Sequence, residues 1–207
     1  MTRPDHTAVV ERELSELLHR IGAVRFGAFT LKDGRTSPFY LDLRGLVSHP
    51  EALARVARAM LQRAAALRYD RLAGIPYAGL PIAVAMSMIG NQPMVYARKE
   101  AKDYGTRRQI EGEFRAGDRA LLIDDVITSG GAKLEARAPF TAAGLVVEDV
   151  LVVIDREERG SAALTAAGLR LHSVLKVRAL LGYLRDHGAA SVADIDRAFD
   201  FLAASPR

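Results

Sequence analysis

The chain has 207 residues, 49% of them hydrophobic, a formal net charge of +4, and no cysteine or tryptophan. That length and apolar content suit one domain with a large core, and the lack of cysteine excludes a disulfide framework or a thiolate metal site. No apolar run reaches the ~18 residues of a membrane span, and the start, MTRPDHTAVVERELSELL, is too polar for a signal peptide, so a soluble, cytoplasmic protein is expected.

In chain order, Val10, Leu14, Leu17, Leu18 and Ile21 recur at helical spacing over residues 7 to 21. FGAFTL (26–31) and FYLDL (39–43) read as strands split by the turn KDGRTSP. Residues 50 to 67 form an amphipathic helix, with Pro50 at its start, where a missing N–H costs little. RLAGI (71–75) reads as a short buried strand and GLPIAVAMSMI as a second helix. PMVYA (93–97), RALLIDD (119–125) and VVEDVLVVID (146–155) are Val-, Ile- and Leu-rich, as parallel core strands are. Helices near 131–143 and 159–167 fill the crossovers, LRLHSVL (169–175) is a further strand, and helical segments follow to the end. The alternation predicts an α/β fold with a mostly parallel central sheet flanked by helices.

Residues 98 to 118 are a polar stretch long enough to mark a lid or a disordered segment. It holds Arg98, Lys99, Lys102, Arg107 and Arg108, interleaved with Glu100, Asp103 and Glu111. Mixed signs argue against a plain polyanion-binding arm, and they suit a segment that meets a small anion at specific points.

The chemistry concentrates in LLIDDVITSGGAK (121–133), which reads strand, loop, helix. Ligands of open parallel sheets bind at the carboxyl ends of strands. Glycines let backbone N–H groups approach a phosphate, and the following helix N-terminus adds partial positive charge. Thr128 and Ser129 add hydroxyl donors. Neither GxxxxGK[ST] nor GxGxxG occurs in the chain. Carboxylates repel phosphate, so Asp124 and Asp125 must face another part of the ligand. Sugar hydroxyls and Mg²⁺ are their natural partners, and a 5-phosphorylated ribose satisfies both halves of the stretch. The bland reading is a strand ending in solvated acids before a helix cap.

This stretch resembles the phosphoribosyl-diphosphate (PRPP) signature of type I phosphoribosyltransferases. FGAFTLKDGRTSPFYLDLR, GIPYAGLPIA, RKEAKDYGTRRQIEG and VVIDREERGSAAL with LRLHSV narrow the resemblance to orotate phosphoribosyltransferase. They lie in the expected order over about residues 10 to 180, worded most like the orotate-transferring half of UMP synthase. No decarboxylase half follows, so a monofunctional chain is expected. The resemblance implies one domain over 1–207, with a hood from about 1–45 plus C-terminal parts and a mobile lid at about 98–118. It implies conversion of orotate and PRPP to orotidine 5′-monophosphate and pyrophosphate with Mg²⁺, in a homodimer with shared sites, without nucleic acid or membrane.

By the same resemblance, Lys32, Phe39, Tyr40, Thr128 and Arg156 bind orotate. Tyr77 and Ala78 belong to the pyrophosphate loop, and Arg98, Lys99, Lys102 and Tyr104 to the lid side of PRPP. Asp124 and Asp125 hold ribose hydroxyls, and Val126, Ile127, Thr128, Ser129, Gly130, Gly131 and Ala132 hold the 5′-phosphate. Lys102, Asp124 and Asp125 are the expected catalytic residues. No direct protein ligand to Mg²⁺ is expected, the ion being carried by PRPP and water. Ala78 and Tyr104 stand where bacterial relatives commonly have Lys and His, so no proton from a lid imidazole is expected. Without the resemblance, Lys32 and Arg35 read as solvated turn charges. His172 reads as a hydrogen-bonded or core-facing histidine with no second His at metal spacing. Two other readings stand beside this one: a phosphoribosyltransferase for another base, and a non-catalytic PRPP-sensing regulator that binds nucleic acid. Lys102 is present and the first 20 residues are too short for a winged domain, both of which weigh against the regulator.

Overall fold

A computed structural model describes residues 6–31, 34–98, 109–158 and 160–204. The helices are α1 (His6–Arg20), α2 (Pro50–Ala64), α3 (Gly79–Gly90), α4 (Gly131–Ala142), α5 (Gly160–Ala166), α6 (Val177–Asp186) and α7 (Val192–Ala204). The strands are β1 (Val24–Thr30), β2 (Thr36–Leu41), β3 (Arg71–Gly74), β4 (Met94–Ala97), β5 (Ile110–Glu111), β6 (Arg119–Ile127), β7 (Val146–Asp155) and β8 (Arg170–Lys176). Six strands form one sheet in the order β5-β4-β3-β6-β7-β8, and β1 and β2 form a separate antiparallel hairpin. All neighbours in the large sheet run parallel except β4 and β5.

Side chains alternate across a strand, and here both faces are covered. Leu121 and Ile123 join Val56, Met60, Ile82, Leu180 and Leu202 in a core with α1, α2, α3, α6, α7 and the hairpin. Ala120 and Leu122 face the other way, onto Phe140 of α4 and Leu164 of α5. Burial on both faces explains why these strands read as continuous apolar runs.

Three expectations are adjusted. β2 begins at Thr36, because Thr30 and Phe29 pair with Thr36 and Ser37 on the far side of the turn. β6 does not end at the acids: its ladder to β7 continues through Val126↔Ile154 and Ile127↔Asp155, so the loop starts at Thr128. The stretch 98–118 is not one loop. Ala97 and Tyr96 pair with Ile110 and Glu111 of β5, and the Arg98 N–H donates to the Gln109 carbonyl at 2.9 Å. Residues 99–108 lie outside the described residues. Among the described residues, no helix is long and apolar enough to cross a membrane.

Candidate active site at the switch point of the sheet

β3 is bordered by β4 on one side and β6 on the other. The chain therefore changes direction across the sheet between them, and the crevice beyond their carboxyl ends is where such sheets bind ligands. β3 leads through Ile75 to Ala78 into α3, and the Ile75 N–H donates to the Ile123 carbonyl at 3.0 Å. Gly79 starts α3 directly against β6. A Cβ there would collide with the Ile123 carbonyl oxygen and sit 2.8 Å from the Asp124 Cα. Only glycine lets the loop after β3 approach the acids this closely. That loop contains a cis peptide between Pro76 and Tyr77; Tyr77 is 73% exposed and Ala78 is buried.

The two acids do different things. Asp124 has the strand parity of Ala120 and Leu122, so its side chain turns toward α4. There its Oδ2 lies 2.6 Å from the Nζ of Lys133, each side chain 8% exposed. Its Oδ1 accepts the Asp125 N–H at 2.9 Å. Asp125 is half-buried on the opposite parity, and its Oδ1 accepts the Val126 N–H at 2.7 Å. Burial, then the neighbouring Asp124 charge, push the Asp125 carboxyl up to about 7, against the pull of the Val126 N–H and of Lys133.

Beyond β6, Thr128 is half-exposed and Ser129, Gly131 and Ala132 are exposed. Gly130 takes φ +79° at the N-cap of α4, a conformation that suits glycine. No side chain caps this helix, so its first-turn N–H groups have no side-chain acceptor. Exposed residues, a helix N-terminus and two hydroxyls are a set that can receive an anion. Val126 and Ile127, expected in that loop, are instead the last residues of β6, and Ile127 is buried.

The hairpin and the loop after β7 close the other side. Phe39 is fully buried, so it offers no surface to a ligand. Its ring carries the guanidinium of Arg156 at 4.6 Å and meets Phe201 of α7 edge-on at 6.3 Å. Arg156 is 4% exposed, and its Nε lies 2.8 Å from Oε1 of buried Glu158. Glu158 also takes Arg35 from the hairpin turn, Nη2 to Oε2 at 3.0 Å. Between the two, Glu157 adopts φ +56°, held by its N–H to the Asp155 carboxylate at 2.8 Å. Tyr40 faces the other way, stacked on Phe29 at 5.4 Å. Its hydroxyl is 3.4 Å from Arg44, whose guanidinium forks onto Asp42 at 2.8 and 2.9 Å. The fork holds the Asp42 carboxyl below its usual range. The Arg44 proton is held mainly by Asp42 and, further off, by the charges of Tyr40 and Asp125.

Arg98 stands at the end of β4, paired with Glu111 at 3.2 Å. Lys32, Lys99, Lys102 and Tyr104 lie outside the described residues. His172, as expected, is hydrogen-bonded, to Asp149 at 2.8 Å. Lys133, Glu158, Arg44 and Phe201 escape sequence reasoning. Strand parity and the spacing from the helix start carry a signal for Lys133; Arg44 and Glu158 contact Tyr40 and Arg156 within four residues of themselves, and Phe201 meets Phe39 only through the tertiary fold.

Comparison with known proteins follows the same outline. No family model matches the chain. Uridine 5′-monophosphate synthase of Bos taurus is 40% identical over 187 residues, covering 89% of this chain and 39% of that protein. This chain thus spans about two fifths of that relative's length. Orotate phosphoribosyltransferase of Cenarchaeum symbiosum (strain A) is 45% identical over 162 residues, covering 76% of this chain and 81% of that protein. The structure of Leishmania donovani UMP synthase superposes with a TM-score of 0.88 at 38% identity, over 93% of this chain and 42% of that one. Orotate phosphoribosyltransferase of Mycobacterium tuberculosis H37Rv, in complex with PRPP, superposes with a TM-score of 0.67 at 31% identity, over 83% and 98%.

Proposed function

The chain belongs to the orotate phosphoribosyltransferase family, and on that premise we propose that it transfers the 5-phosphoribosyl group of PRPP to orotate in pyrimidine biosynthesis. The observation that carries the reading is the junction of β6 and α4, where an acid pair and an uncapped, glycine-led helix N-terminus stand side by side at the switch point. The M. tuberculosis relative was solved with PRPP bound, which supports the same ligand here. The 5′-phosphate rests on the amides of Thr128 to Ala132, and the ribose hydroxyls donate to Asp125, with Asp124 behind it. Tyr77 and Ala78 border the pyrophosphate, and Arg98, Lys99, Lys102 and Tyr104 approach it from the lid. Orotate lies between Tyr40, Thr128 and the edge of Arg156, with Lys32 closing the turn.

Transfer breaks the bond from C1 of the ribose to pyrophosphate and forms one to a ring nitrogen of orotate. Positive charge grows on the ribose, as in glycoside transfer, and negative charge on the departing pyrophosphate. Stabilising that leaving group is the larger task, and Lys102 is suited to it. The orotate nitrogen is already acidic, so no strong protein base is needed. A lid closing over the site excludes water that would compete for C1.

Both oxygens of Asp124 have partners within the chain. Among the described residues, no group of three or more acidic or histidine side chains could cage a metal. Mg²⁺ would arrive on PRPP oxygens and water and would supply charge neutralisation to the pyrophosphate. The hairpin β1–β2, with α1 and the C-terminal helices, serves as the hood of a single domain. α3 turns Val84, Met88 and Ile89 outward at 41%, 81% and 40% exposure. Such an apolar face suits a second copy of the chain, in a cytoplasmic homodimer that shares lid residues between sites.

The test is the loss of orotate absorbance with PRPP and Mg²⁺, matched by pyrophosphate release. Orotidylate formed in step with pyrophosphate is expected. No product, or faster transfer to another base, overturns the reading.

A further inference from the structure

Lys133 has no role in the reaction outlined above, yet it is buried, charged and in contact with the acid pair. Its Nζ lies 2.6 Å from Asp124 Oδ2 and donates to the Val126 carbonyl at 2.6 Å. One side chain thus ties the first turn of α4 to both sides of Asp125. The placement is unfavourable on ordinary grounds. A lysine in a first helical turn opposes the helix dipole, and a buried ammonium gives up its hydration. The same first turn is the proposed anion cradle, and the same acids stand beside it.

We propose that Lys133 is a positioning residue for PRPP: by engaging Asp124, it offsets one negative charge of the acid pair where a polyanion must bind, while holding Asp125 toward the sugar. The inference rests on the PRPP reading of this site. It resolves the difficulty posed by two adjacent carboxylates beside a phosphate cradle. One acid is neutralised from below by α4 and serves as a support. The other accepts the ribose hydroxyls. Asp124 passes this on directly, because its second oxygen fixes the Asp125 N–H at 2.9 Å.

The decisive variant is Lys133→Gln, whose amide still donates to Asp124 and Val126 but carries no charge. KM and Kd for PRPP are expected to rise by about tenfold or more, the scale of one charge-assisted contact, with orotate KM within about threefold. Lys133→Arg, which keeps the charge, is expected to hold PRPP affinity within about threefold of the parent chain. PRPP Kd by titration calorimetry and the two KM values separate charge from structure. A folded Lys133→Gln with parental PRPP affinity overturns the proposal. So does equal weakening of both substrates, or a folded Lys133→Arg that loses PRPP by tenfold or more. Should Lys133→Gln fail to fold, the Arg variant decides alone. A parent chain that binds no PRPP sinks the functional reading instead.

Discussion

Arg156 and Glu158 lie 2.8 Å apart, Nε to Oε1, with 5% and 4% of their side chains exposed. Glu158 also holds Arg35 at 3.0 Å, and Phe39 backs the Arg156 guanidinium at 4.6 Å. The arginine proposed for orotate is therefore held by Glu158 at its Nε and by Phe39 across its face. Glu158→Gln is expected to raise orotate KM about tenfold, or about 1.4 kcal/mol, by removing the charge that pairs with Arg156. PRPP KM should change by less than about threefold. Steady-state kinetics with each substrate varied checks the split; an equal rise in both would assign Glu158 to the fold alone.

Asp125 gives a pH signature. Its folded value of about 7 lies above its ordinary value of 3.8. The folded state therefore holds the proton more tightly, and the stability this adds is complete below about pH 3.8 and is lost as pH rises through about 7. Sugar binding needs the ionised form, so PRPP affinity should rise as pH passes that value. Burial, then the Asp124 charge, set the position of the change, with the Val126 N–H and Lys133 opposing them. The phosphates of PRPP titrate nearby, so the readout is the difference from Asp125→Asn. That variant should bind PRPP more weakly and lose the part of the pH dependence that belongs to the carboxyl. Superimposable profiles would remove Asp125 from the sugar.

Gly79→Ala tests the contact between the loop after β3 and the acids. The added methyl meets the Ile123 carbonyl and comes 2.8 Å from the Asp124 Cα, both backbone positions without freedom to yield. Overpacking of this kind costs about 1–3 kcal/mol. Thermal unfolding should register that loss, together with weaker PRPP binding. Parental stability would show that α3 can shift away from β6.

Met88→Asp tests the outer face of α3, where Met88 is 81% exposed. A charge at the centre of the proposed contact is expected to shift the proposed dimer to monomer in analytical ultracentrifugation and to reduce activity, since that dimer is proposed to share lid residues between sites. An unchanged sedimentation coefficient places the interface elsewhere.

Lys102→Ala is expected to lower turnover by roughly 10²-fold or more, the scale of one preorganised charge-stabilising donor, without changing the unfolding midpoint. Single-turnover kinetics checks it, and near-parental turnover would remove Lys102 from its proposed place at the leaving group.

Much of this was legible before any coordinates. The 3.6-residue spacing of Leu14, Leu17 and Leu18 and the apolar runs ending at Asp124 and Asp155 mark elements found within a few residues of their expected ends. Local pattern identifies such elements because it reports burial directly. Strand ends were less legible: nothing local says that β6 keeps pairing with β7 past Asp125 to Ile127. The acids read as equivalent from adjacency alone, but adjacent residues of a strand face opposite ways, which separates Asp124 from Asp125. Phe39 and Tyr40 divide for the same reason, one fully buried and one half-buried against Phe29. Glu158 meeting Arg35 across 123 positions, and Phe201 reaching Phe39 from the last helix, are tertiary events without a local signature.

The central claim is that a phosphorylated ribose binds where β6 passes into α4. A crystal structure of the chain with PRPP and Mg²⁺ tests it most directly. The 5′-phosphate should rest on the amides of Thr128 to Ala132, with the ribose hydroxyls on Asp125 and the Lys133–Asp124 pair intact beneath. PRPP bound away from the ends of β3 and β6, or with its phosphate toward the acids and its sugar toward the glycines, would contradict the account.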